Sequence, residues 1–410
     1  MADFAVEAEA GELGFDAGRL ARIDRYFRPY VDDGRLPGWL ISVSRAGRIV
    51  HLSTYGHRDV SSGRPVETDT LWRWYSMTKP VTSIAAMMLF EEGVLQLTDP
   101  VEKFIPSFAD LRVFAAGSDL KQETVPVTEP MTVWHLLTHT SGLTYGFHRA
   151  HPVDAILRAR GFEWGQPEGY TLADACDAWS RIPLLFQPGA EWNYSLSTDV
   201  LGRVVEVASG QSLDTFFRTR IFEPLGMDDT GFHVSGDGAD RLATLYVRGP
   251  DGALAPTGAP AGSLVRPPSY LSGGGGLIGP AADYHRLTQM LLGRGASGGA
   301  RLLGSRTVDH MTRNQLPGGA DLAHFGRRLF SETVFDGTGF GLGFSVVTDP
   351  VALRNIASAG EYGWGGAAST AFWVDPAEDI TVSFFTQLLP SSTYPIRAHL
   401  RTLVQQALVD

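Results

Sequence analysis

A serine and a lysine stand three positions apart in Ser76-Met77-Thr78-Lys79, where the apolar run VTSIAAMMLFEEG begins. At the start of a helix this spacing puts both side chains on one face, so the amine can reach the hydroxyl. A lysine desolvated by the apolar helix loses its proton more easily and can then activate the serine as a nucleophile. The spacing alone is equally compatible with a capping serine and a surface lysine. The chain has only three lysines, Lys79, Lys103 and Lys121, so a lysine in a chemical setting is harder to dismiss as surface filler.

Two further serine patterns compete with Ser76 as the nucleophile. Ser118 and Lys121 have the same spacing, but they lie in the polar segment AAGSDLKQETVP, which predicts a solvated loop. Ser297 lies in GASGG, which fits the pattern G-x-S-x-G, but that motif must follow a strand and open a helix. Here it follows the helical stretch LTQMLLGRG, so the pattern indicates a flexible surface turn.

A serine activated by a lysine needs a second proton carrier toward the leaving group, and Tyr194 is the best candidate for that role. It lies in FQPGAEWNYSLSTDVLG, a loop with proline and glycine that runs into a helix. Such a loop presents a tyrosine to a cleft more easily than the middle of a helix does. Core packing is the alternative interpretation of an isolated tyrosine.

The glycine-rich tetrapeptide Gly363-Trp364-Gly365-Gly366 precedes the predicted strand AASTAFWV. Glycines at this point let the backbone approach a bound ligand closely, and an edge strand could donate N–H groups to an oxyanion. A bulge or a turn explains the same glycines equally well.

Histidine pairs are assigned no chemistry. His135 and His139 stand four positions apart on a predicted helix and would share a face, but no acidic residue of an H-E-x-x-H motif accompanies them. We therefore expect no metal there. His148 and His151 lie in a predicted loop, where they could line a pocket rim or be exposed.

The composition excludes several classes of function. With 410 residues, 43% hydrophobic and 19% charged, the chain fits a globular protein and not a disordered one. A net charge of -11 repels phosphate backbones and anionic lipid surfaces, so neither nucleic acid nor a membrane is an expected partner.

The single cysteine, Cys176, excludes an internal disulfide and is expected to be a buried apolar residue. The N-terminus lacks the basic start and apolar run of a secretory signal, which predicts a cytoplasmic location.

The hydrophobic pattern predicts strands near both ends of the chain and helices between them. The predicted elements, in chain order, are a helix over 16–31, two strands within 39–56, a helix over 78–92, helices and long loops over 99–268, strands after 340 with a hairpin at Asp375-Pro376, and a helix over 394–408. This order predicts one sheet domain interrupted by a helical domain.

Seven segments in this order resemble the serine beta-lactamase and penicillin-binding-protein superfamily, and most closely the family VIII carboxylesterases. They are SMTK (76–79), LQLTDPVEKFIP, HLLTHTSGL, PGAEWNYS, EPLGMDDTGF, GGGGLIGPAADYHRL and GWGGAASTAFWVDP. The resemblance covers about residues 16–406 and implies an α+β, beta-lactamase/transpeptidase-like fold, in which an antiparallel sheet flanked by helices carries an inserted, mainly helical domain. We expect residues 1–98 and 270–410 to form the sheet domain and 99–269 the helical domain, with the active site in the cleft between.

The resemblance also implies roles for single residues. Ser76 is the nucleophile, Lys79 the activating base and Tyr194 the partner that shuttles the proton. The backbone N–H groups of Ser76 and Ala367 form the oxyanion hole. No metal and no organic cofactor is implied.

Two positions depart from the pattern of class C beta-lactamases and related peptidases. Leu196 replaces the asparagine of Y-x-N, and Trp364-Gly365-Gly366 replaces K-T-G. Leucine and tryptophan cannot bind an acyl side-chain amide or a substrate carboxylate as asparagine and lysine do. We therefore expect Leu196, Trp364, Gly365 and Gly366 to line an apolar substrate site that suits an uncharged ester, as in family VIII esterases.

The sequence thus predicts a serine carboxylesterase that hydrolyses short-chain carboxylic esters through an acyl-enzyme on Ser76. Three alternatives stay open: an acyltransferase with the same acyl-enzyme, a beta-lactamase or D-amino-acid peptidase, and a binding protein without turnover. Leu196, Trp364 and the missing export signal argue against the second, and the joint presence of Ser76, Lys79 and Tyr194 argues against the third. The expected partner is a small-molecule ester, and the oligomeric state is left open.

Overall fold

The computed structural model describes residues 4–234, 236–258 and 264–409. Its helices are α1 (Ala17–Leu20), α2 (Arg22–Asp32), α3 (Lys79–Glu91), α4 (Val133–Leu137), α5 (Pro152–Ala159), α6 (Leu172–Trp179), α7 (Ser197–Ser209), α8 (Leu213–Phe217), α9 (Glu223–Leu225), α10 (Ala281–Leu292), α11 (Ser305–Met311), α12 (Leu322–Phe325), α13 (Pro350–Leu353) and α14 (Ile396–Gln405). Its strands are β1 (Gly38–Arg45), β2 (Arg48–Asp59), β3 (Arg64–Pro65), β4 (Leu71–Arg73), β5 (Arg112–Gly117), β6 (Gln122–Pro126), β7 (Tyr246–Arg248), β8 (Leu254–Pro256), β9 (Ile278–Pro280), β10 (Ala296–Ser297), β11 (Ala300–Arg301), β12 (Thr338–Phe340), β13 (Ser345–Val347), β14 (Tyr362–Gly366), β15 (Thr370–Asp375), β16 (Ile380–Phe385) and β17 (Leu388–Leu389).

An eight-stranded antiparallel sheet in the order β12-β13-β14-β15-β16-β1-β2-β3 joins the two ends of the chain. The pairing of β1 with β16, from Leu40 opposite Phe385 to Arg45 opposite Ile380, makes this junction. The hairpin β1–β2 and the hairpin β15–β16 are those that the alternating patterns predicted. The predicted α+β fold with an antiparallel sheet and flanking helices is therefore confirmed.

The sheet is buried on both faces in its middle strands, because neighbouring side chains of a strand point to opposite faces. Ile41 and Phe384 belong to an apolar cluster that includes residues of α2 and α14. Leu40 and Phe385 belong to the larger cluster, which includes residues of α3 and α10. The sheet is thus covered by helices on both sides, as in the predicted arrangement.

The helix α3 is apolar around its whole circumference, and it is buried from Lys79 to Leu89. Gly93, with a φ of 73°, follows the end of the helix. Because α3 runs through the core, any group at its N-terminus lies deep in the molecule. The helix predicted over 78–92 is confirmed within a residue at each end.

The region 99–269 contains α4 to α9, but it also contains two short hairpins, β5–β6 and β7–β8. In addition, β7 pairs in parallel with β17, which comes from the C-terminal part of the chain. These strands are short or polar, so they show no clear two-residue period in the sequence. The division of the chain at 99 and 270 remains a prediction.

The described part of the chain contains no helix with both the length and the apolar character needed to cross a membrane.

Candidate active site

Ser76 lies in a 3₁₀ turn, Tyr75–Thr78, that leads directly into α3. Tyr75 has a φ of 48°, a left-handed conformation that is strained for a residue other than glycine. This turn takes the chain from β4 into α3 within a few residues and places Ser76 just before the helix. The predicted position of Ser76 at the start of a buried apolar helix is confirmed.

Two groups with the chemistry for proton transfer meet at the Ser76 hydroxyl. The Tyr194 hydroxyl donates a hydrogen bond to Ser76 Oγ over 2.5 Å. Lys79 Nζ lies 3.1 Å from the same oxygen. Lys79 reaches Ser76 through the three-residue spacing, whereas Tyr194 comes from a loop 118 positions further along the chain. The structure thus brings together all three residues that the sequence singled out.

The Lys79 amine is enclosed by protein. Only 2% of the residue is exposed, and Nζ donates a hydrogen bond to the Gly274 carbonyl oxygen over 2.8 Å. Nζ also lies 4.8 Å from the ring centre of Tyr194 and 5.6 Å from that of Tyr145. Since the Gly274 oxygen holds one N–H, the lone pair of a neutral amine can point at Ser76 Oγ.

Burial also changes the acidity of this amine. It lowers the pKa of Lys79 to about 8, because the charged ammonium loses its hydration. The negative charges of Asp199 and Glu332 act in the opposite direction and keep the pKa from falling further. A lysine with this pKa is partly neutral close to neutral pH and can accept a proton.

Tyr194 is buried and stays protonated. Burial, followed by the negative charge of Glu332, raises the pKa of Tyr194 far above that of a free phenol. Its ring meets those of Trp364 and His139 edge-on, with centroids 5.3 and 5.2 Å away. Tyr194 is therefore held as a hydrogen-bond donor to Ser76, and Lys79 is the better base in the resting site.

A buried aspartate, Asp199 on α7, shapes the wall next to Lys79. It accepts hydrogen bonds from the Tyr270 hydroxyl (3.1 Å), Ser272 Oγ (2.6 Å) and the Gly274 N–H (3.1 Å). Gly274 thus connects Asp199, through its N–H, to Lys79, through its carbonyl. A Cβ at this position would lie 2.4 Å from Asp199, which explains the glycine. Sequence reasoning missed Asp199, because its partners come from a loop more than seventy positions away.

The end of β14 lies against the segment that leads to Ser76. A Cβ on Gly366 would come within 2.2 Å of the Trp74 carbonyl oxygen, and Thr370 Oγ1 donates to that oxygen over 3.4 Å. The turn between β14 and β15, which contains Ala367, therefore adjoins the Ser76 segment. Among the described residues, the N–H groups of Ser76 and Ala367 have no backbone or side-chain acceptor. Both are thus available to an oxyanion, as the resemblance implies.

The other predicted substrate residues differ in how open their surroundings are. Trp364 is 3% exposed and packs edge-on against Tyr194 and Phe340. Leu196 is half-buried at the N-terminal cap of α7 and packs against the larger apolar cluster. Trp364 is therefore a wall behind Tyr194. Direct contact of Trp364 or Leu196 with a substrate remains a prediction.

From the sequence, Gly363–Gly366 was expected to lie before a strand, in a turn, in a bulge or at a sheet edge. This expectation is wrong in part. These residues belong to β14 itself, which lies between β13 and β15. β13 pairs only with Tyr362 and Gly363, so the later residues of β14 are unpaired on that side. A Cβ on Gly365 would lie 2.1 Å from Arg397 Nη2. The close neighbour of Gly365 is thus an arginine of the protein, while ligand contact there remains a prediction.

Sequence reasoning missed three stacked rings beside the site, Tyr145, Phe147 and Trp164, which we call the aromatic series. Tyr145 stacks on Phe147 at 4.6 Å, and Phe147 stacks on Trp164 at 4.5 Å. Tyr145 also meets Tyr194 edge-on at 5.2 Å, whereas Trp164 is 68% exposed. The aromatic series therefore extends from the surface to the phenol next to Ser76. Tyr145 and Phe147 come from one segment of the chain and Trp164 from another. In the sequence, only the occurrence of these three aromatic residues within twenty positions could have indicated the aromatic series.

The competing serines lie in surface hairpins. Ser118 is exposed in the turn between β5 and β6, where its Oγ accepts hydrogen bonds from the backbone N–H groups of Leu120 and Lys121. Ser297 lies in the short hairpin β10–β11 that follows α10. The interpretations of the first as a solvated loop and of the second as a surface turn after a helix are confirmed.

The expected shared helix face of His135 and His139 is wrong. α4 ends at Leu137, and His139 has a φ of 55°, so the two histidines are not on one helix. Thr132 is the N-cap of α4, where its Oγ1 accepts from the His135 N–H and its own N–H donates to His135 Nδ1. His139 is buried behind Tyr194. Within residues 4–234, 236–258 and 264–409, no cluster of three or more histidine, cysteine or acidic residues could hold a metal ion.

The second histidine pair and the cysteine take structural positions. His151 caps α5 by accepting a hydrogen bond from the Val153 N–H over 3.2 Å. His148 is half-buried, and burial lowers its pKa to about 4. Cys176 is fully buried, as the sequence predicted.

An antiparallel sheet between helices, with an S-x-x-K serine at the start of a buried helix, defines the class of serine-active proteins with a beta-lactamase/transpeptidase-like fold. Residues 23–406 match the Beta-lactamase family model, and the chain belongs to this family. The family that the sequence motifs predicted is thereby confirmed.

The relatives of this chain include proteins of known and unknown activity. It is 36% identical to Protein Rv1367c from Mycobacterium tuberculosis (strain ATCC 25618 / H37Rv), over 88% of each chain. It is 34% identical to Esterase EstB from Burkholderia gladioli, over 91% of this chain and 92% of EstB. Among solved structures, it is similar to EstCE1, a hydrolase with promiscuous acyltransferase activity, with a TM-score of 0.79 and 25% identity over 96% of this chain and 99% of EstCE1.

Proposed function

We propose that this protein is a serine carboxylesterase of the family VIII type, which hydrolyses short-chain carboxylic esters through an acyl-enzyme on Ser76. The observation that carries the proposal is the convergence of a buried amine and a buried phenol on Ser76 Oγ. The similarity to Esterase EstB over nearly the whole chain supports an ester as substrate. Leu196 and Trp364 support it independently, because they replace the asparagine amide and the lysine ammonium that bind a substrate amide and carboxylate in class C beta-lactamases.

Acylation follows from the geometry around Ser76. The neutral Lys79 amine takes the Ser76 proton while Oγ forms a bond to the ester carbonyl carbon. The carbonyl oxygen becomes an oxyanion and accepts hydrogen bonds from the N–H groups of Ser76 and Ala367. Collapse of this intermediate breaks the bond to the alkoxy oxygen. The proton on Lys79 passes through Tyr194 to that oxygen, and the alcohol leaves.

Deacylation repeats these steps with water. Water gives a proton to the same Lys79–Tyr194 pair and attacks the acyl carbon, and the oxyanion forms again at the same two N–H groups. Collapse breaks the bond to Ser76 Oγ, which regains its proton, and the carboxylic acid leaves. Mass spectrometry after an acid quench with para-nitrophenyl butyrate should detect butyryl-Ser76. A binding protein without turnover would release no nitrophenol and would carry no label.

The pH dependence of the reaction is predicted by the pKa of Lys79, which burial lowers to about 8. The amine must be neutral to take the Ser76 proton, so the protonated form below this pH is inactive. We expect kcat/KM for an ester without titrating groups to rise about tenfold per pH unit below pH 8 and to level off above it. A rate that does not change between pH 6 and 9 would contradict a lysine base with this pKa.

The aromatic series predicts a preference for substrates with a planar aromatic substituent. An aromatic ring in contact with a stacked partner gains about 0.5–1.5 kcal/mol beyond its buried area, which corresponds to a factor of about two to twelve. We expect Trp164→Ala to raise KM for 1-naphthyl butyrate by about this factor and to leave KM for ethyl butyrate unchanged, because the two esters share the acyl group. Leu120→Ala is the control, since Leu120 is 92% exposed in the β5–β6 turn. Equal KM changes for both esters would contradict a ring-specific contact.

An acyltransferase is the second candidate, supported by the similarity to EstCE1, a hydrolase with promiscuous acyltransferase activity. In that case an alcohol would replace water as the acceptor of the acyl group. Hydrolysis of para-nitrophenyl butyrate with and without added alcohols distinguishes the two. A transferase would form the new ester faster than free butyric acid, and an esterase would form mainly the acid.

We also propose a cytoplasmic location for this protein. Fractionation of cells of the source organism, with activity toward para-nitrophenyl butyrate as the marker, tests it. Activity in the culture medium or in the periplasmic fraction would contradict it.

A further inference from the structure

A buried ion pair lies close to the predicted oxyanion hole, and the mechanism above does not use it. Arg397 on α14 places Nη2 2.6 Å from Glu332 Oε2, and Nη1 donates a hydrogen bond to the backbone carbonyl of Glu332. The Glu332 side chain is 1% exposed, and that of Arg397 is 24% exposed. Glu332 also accepts a hydrogen bond from Ser391 over 2.8 Å. The carboxylate thus holds the guanidinium in one place.

The same guanidinium contacts both ends of the turn that contains Ala367. Nη2 of Arg397 lies 3.0 Å from the Thr370 carbonyl oxygen and 3.3 Å from the Gly366 carbonyl oxygen. Gly366 and Thr370 are opposite each other where β14 and β15 meet. The two N–H groups of Nη2 are therefore shared between one carboxylate and the two carbonyls that close the turn.

Two donors hold the Gly366 carbonyl and with it the direction of the Ala367 N–H: Arg397 Nη2 at 3.3 Å and the Ser369 backbone N–H at 3.0 Å. The Gly366 carbonyl and the Ala367 N–H belong to one peptide group, which is trans and planar, so they point in opposite directions. A donor that holds the oxygen on one side therefore also orients the N–H on the other side. A cationic donor in addition polarises the peptide group, which strengthens the N–H as a hydrogen-bond donor.

The glycine at position 365 is explained by the same arrangement. A Cβ there would lie 2.1 Å from Nη2 and 2.3 Å from Cζ of Arg397. Any side chain at 365 would push the guanidinium away from the turn. The replacement of the threonine of K-T-G by Gly365 thus creates the space in which Arg397 reaches Gly366.

We propose that Arg397, held in place by Glu332, is a positioning residue that orients the Ala367 N–H toward the oxyanion formed on the substrate. The proposal rests on the proposed function, because it assigns a task within that reaction. Arg397 does not touch the reacting atoms, and it acts through the Gly366–Ala367 peptide group. Glu332 balances the charge of the guanidinium, which would otherwise be an unpaired cation in a partly buried position.

The chain contains a matched control for this pair on the same helix. Arg401 lies one turn after Arg397 on α14, and its Nε is 2.8 Å from Glu361 Oε1. The side chains of Arg401 and Glu361 are 18% and 1% exposed, close to the values for the first pair. Glu361, however, precedes β14 at the end opposite to Gly366. Loss of either pair should cost similar stability, whereas only the first pair should affect the oxyanion hole.

The experiment compares Arg397→Met, Arg397→Lys and Arg401→Met with wild type, by the kinetics of para-nitrophenyl butyrate hydrolysis and by Tm. Removal of an oxyanion donor costs about 10²–10³ in kcat, so a misdirected donor in Arg397→Met should cost about ten- to a hundredfold, with KM within about twofold of wild type. Arg397→Lys should recover the ion pair and much of the Tm but little of kcat, because an ammonium lacks the planar fork that holds several acceptors. Arg401→Met should lower Tm as Arg397→Met does and keep kcat within about twofold.

A second readout separates positioning from a general structural role. An alkyl trifluoromethyl ketone forms the tetrahedral oxyanion on Ser76, and its inhibition constant should rise in Arg397→Met by the factor lost in kcat. The leaving product, para-nitrophenol, forms no tetrahedral adduct on Ser76, and its inhibition constant should stay the same. If kcat falls alike in Arg397→Met and Arg401→Met, or if Arg397→Met keeps the wild-type kcat, the proposal is overturned. Absence of ester turnover in wild type would instead overturn the proposed function.

Discussion

Ser76→Ala is expected to abolish ester turnover without unfolding the protein, with kcat lower by about six orders of magnitude. Alanine has no oxygen to form the acyl-enzyme, so only the oxyanion hole and substrate binding can still assist an attack by water. The residue lies in a short turn and loses one small oxygen, so the fold has little reason to change. The measurement is hydrolysis of para-nitrophenyl butyrate at equal concentrations of folded protein, with circular dichroism to establish folding.

The two competing serines supply the controls for this prediction. Ser118 and Ser297 lie in surface hairpins, and Ser118→Ala and Ser297→Ala should keep the wild-type rate. A chromogenic cephalosporin, measured in parallel, should be cleaved slowly or not at all by wild type. Full activity in Ser76→Ala would show that the nucleophile is another residue, and fast cephalosporin cleavage would favour a lactam as substrate.

Lys79→Met is expected to lower kcat by about 10²–10⁴-fold, which is the usual contribution of a general base, while the fold is kept. Methionine has a similar length and fits among the rings of Tyr145 and Tyr194, but it cannot take the Ser76 proton. The expected loss applies to acylation and deacylation alike, because both steps use the amine. Steady-state hydrolysis and the rate of fluorophosphonate labelling of Ser76 measure it.

Stability gives a second signature of the same variant. The pKa of Lys79 is lowered from 10.5 to about 8 on folding, so the unfolded chain binds more protons between these values. The stability of wild type should therefore rise with pH over this window, relative to a variant that lacks the amine. We expect Lys79→Met to have the higher Tm at pH 7 and the difference to shrink from pH 8 to pH 10.

Lys103→Met is the control for the loss of a lysine as such. Lys103 is 49% exposed on the surface and pairs with Asp99, and its removal should leave both kcat and the pH profile unchanged. If Lys79→Met retains the wild-type rate, or if Lys103→Met loses as much activity, then Lys79 is not the base.

Much of the fold could be predicted because local patterns in the sequence indicate it. The alternating runs of β1, β2, β15 and β16 and the apolar run of α3 each bury their residues through a regular spacing, which the sequence displays directly. The short strands β7 and β8 have three residues each, too few to show such a pattern, and β7 pairs with β8 and with the distant strand β17. His139 was placed on a helix for the same reason: its spacing from His135 fits a helix, but α4 ends at Leu137 and His139 itself has a positive φ.

The sequence by itself determined the family and the proximity of Ser76 and Lys79. The spacing of Ser76 and Lys79 is a property of one helix start, and the ordered motifs identify the family, so neither depends on how distant segments meet. The tertiary structure decided what surrounds these residues. Tyr194, Asp199 and Arg397 act through neighbours that are 75 to 118 positions away or that lie across the sheet in β14. Burial by these distant segments lowers the pKa of Lys79. No local sequence pattern indicates this shift, because desolvation is a sum over everything that packs around the amine.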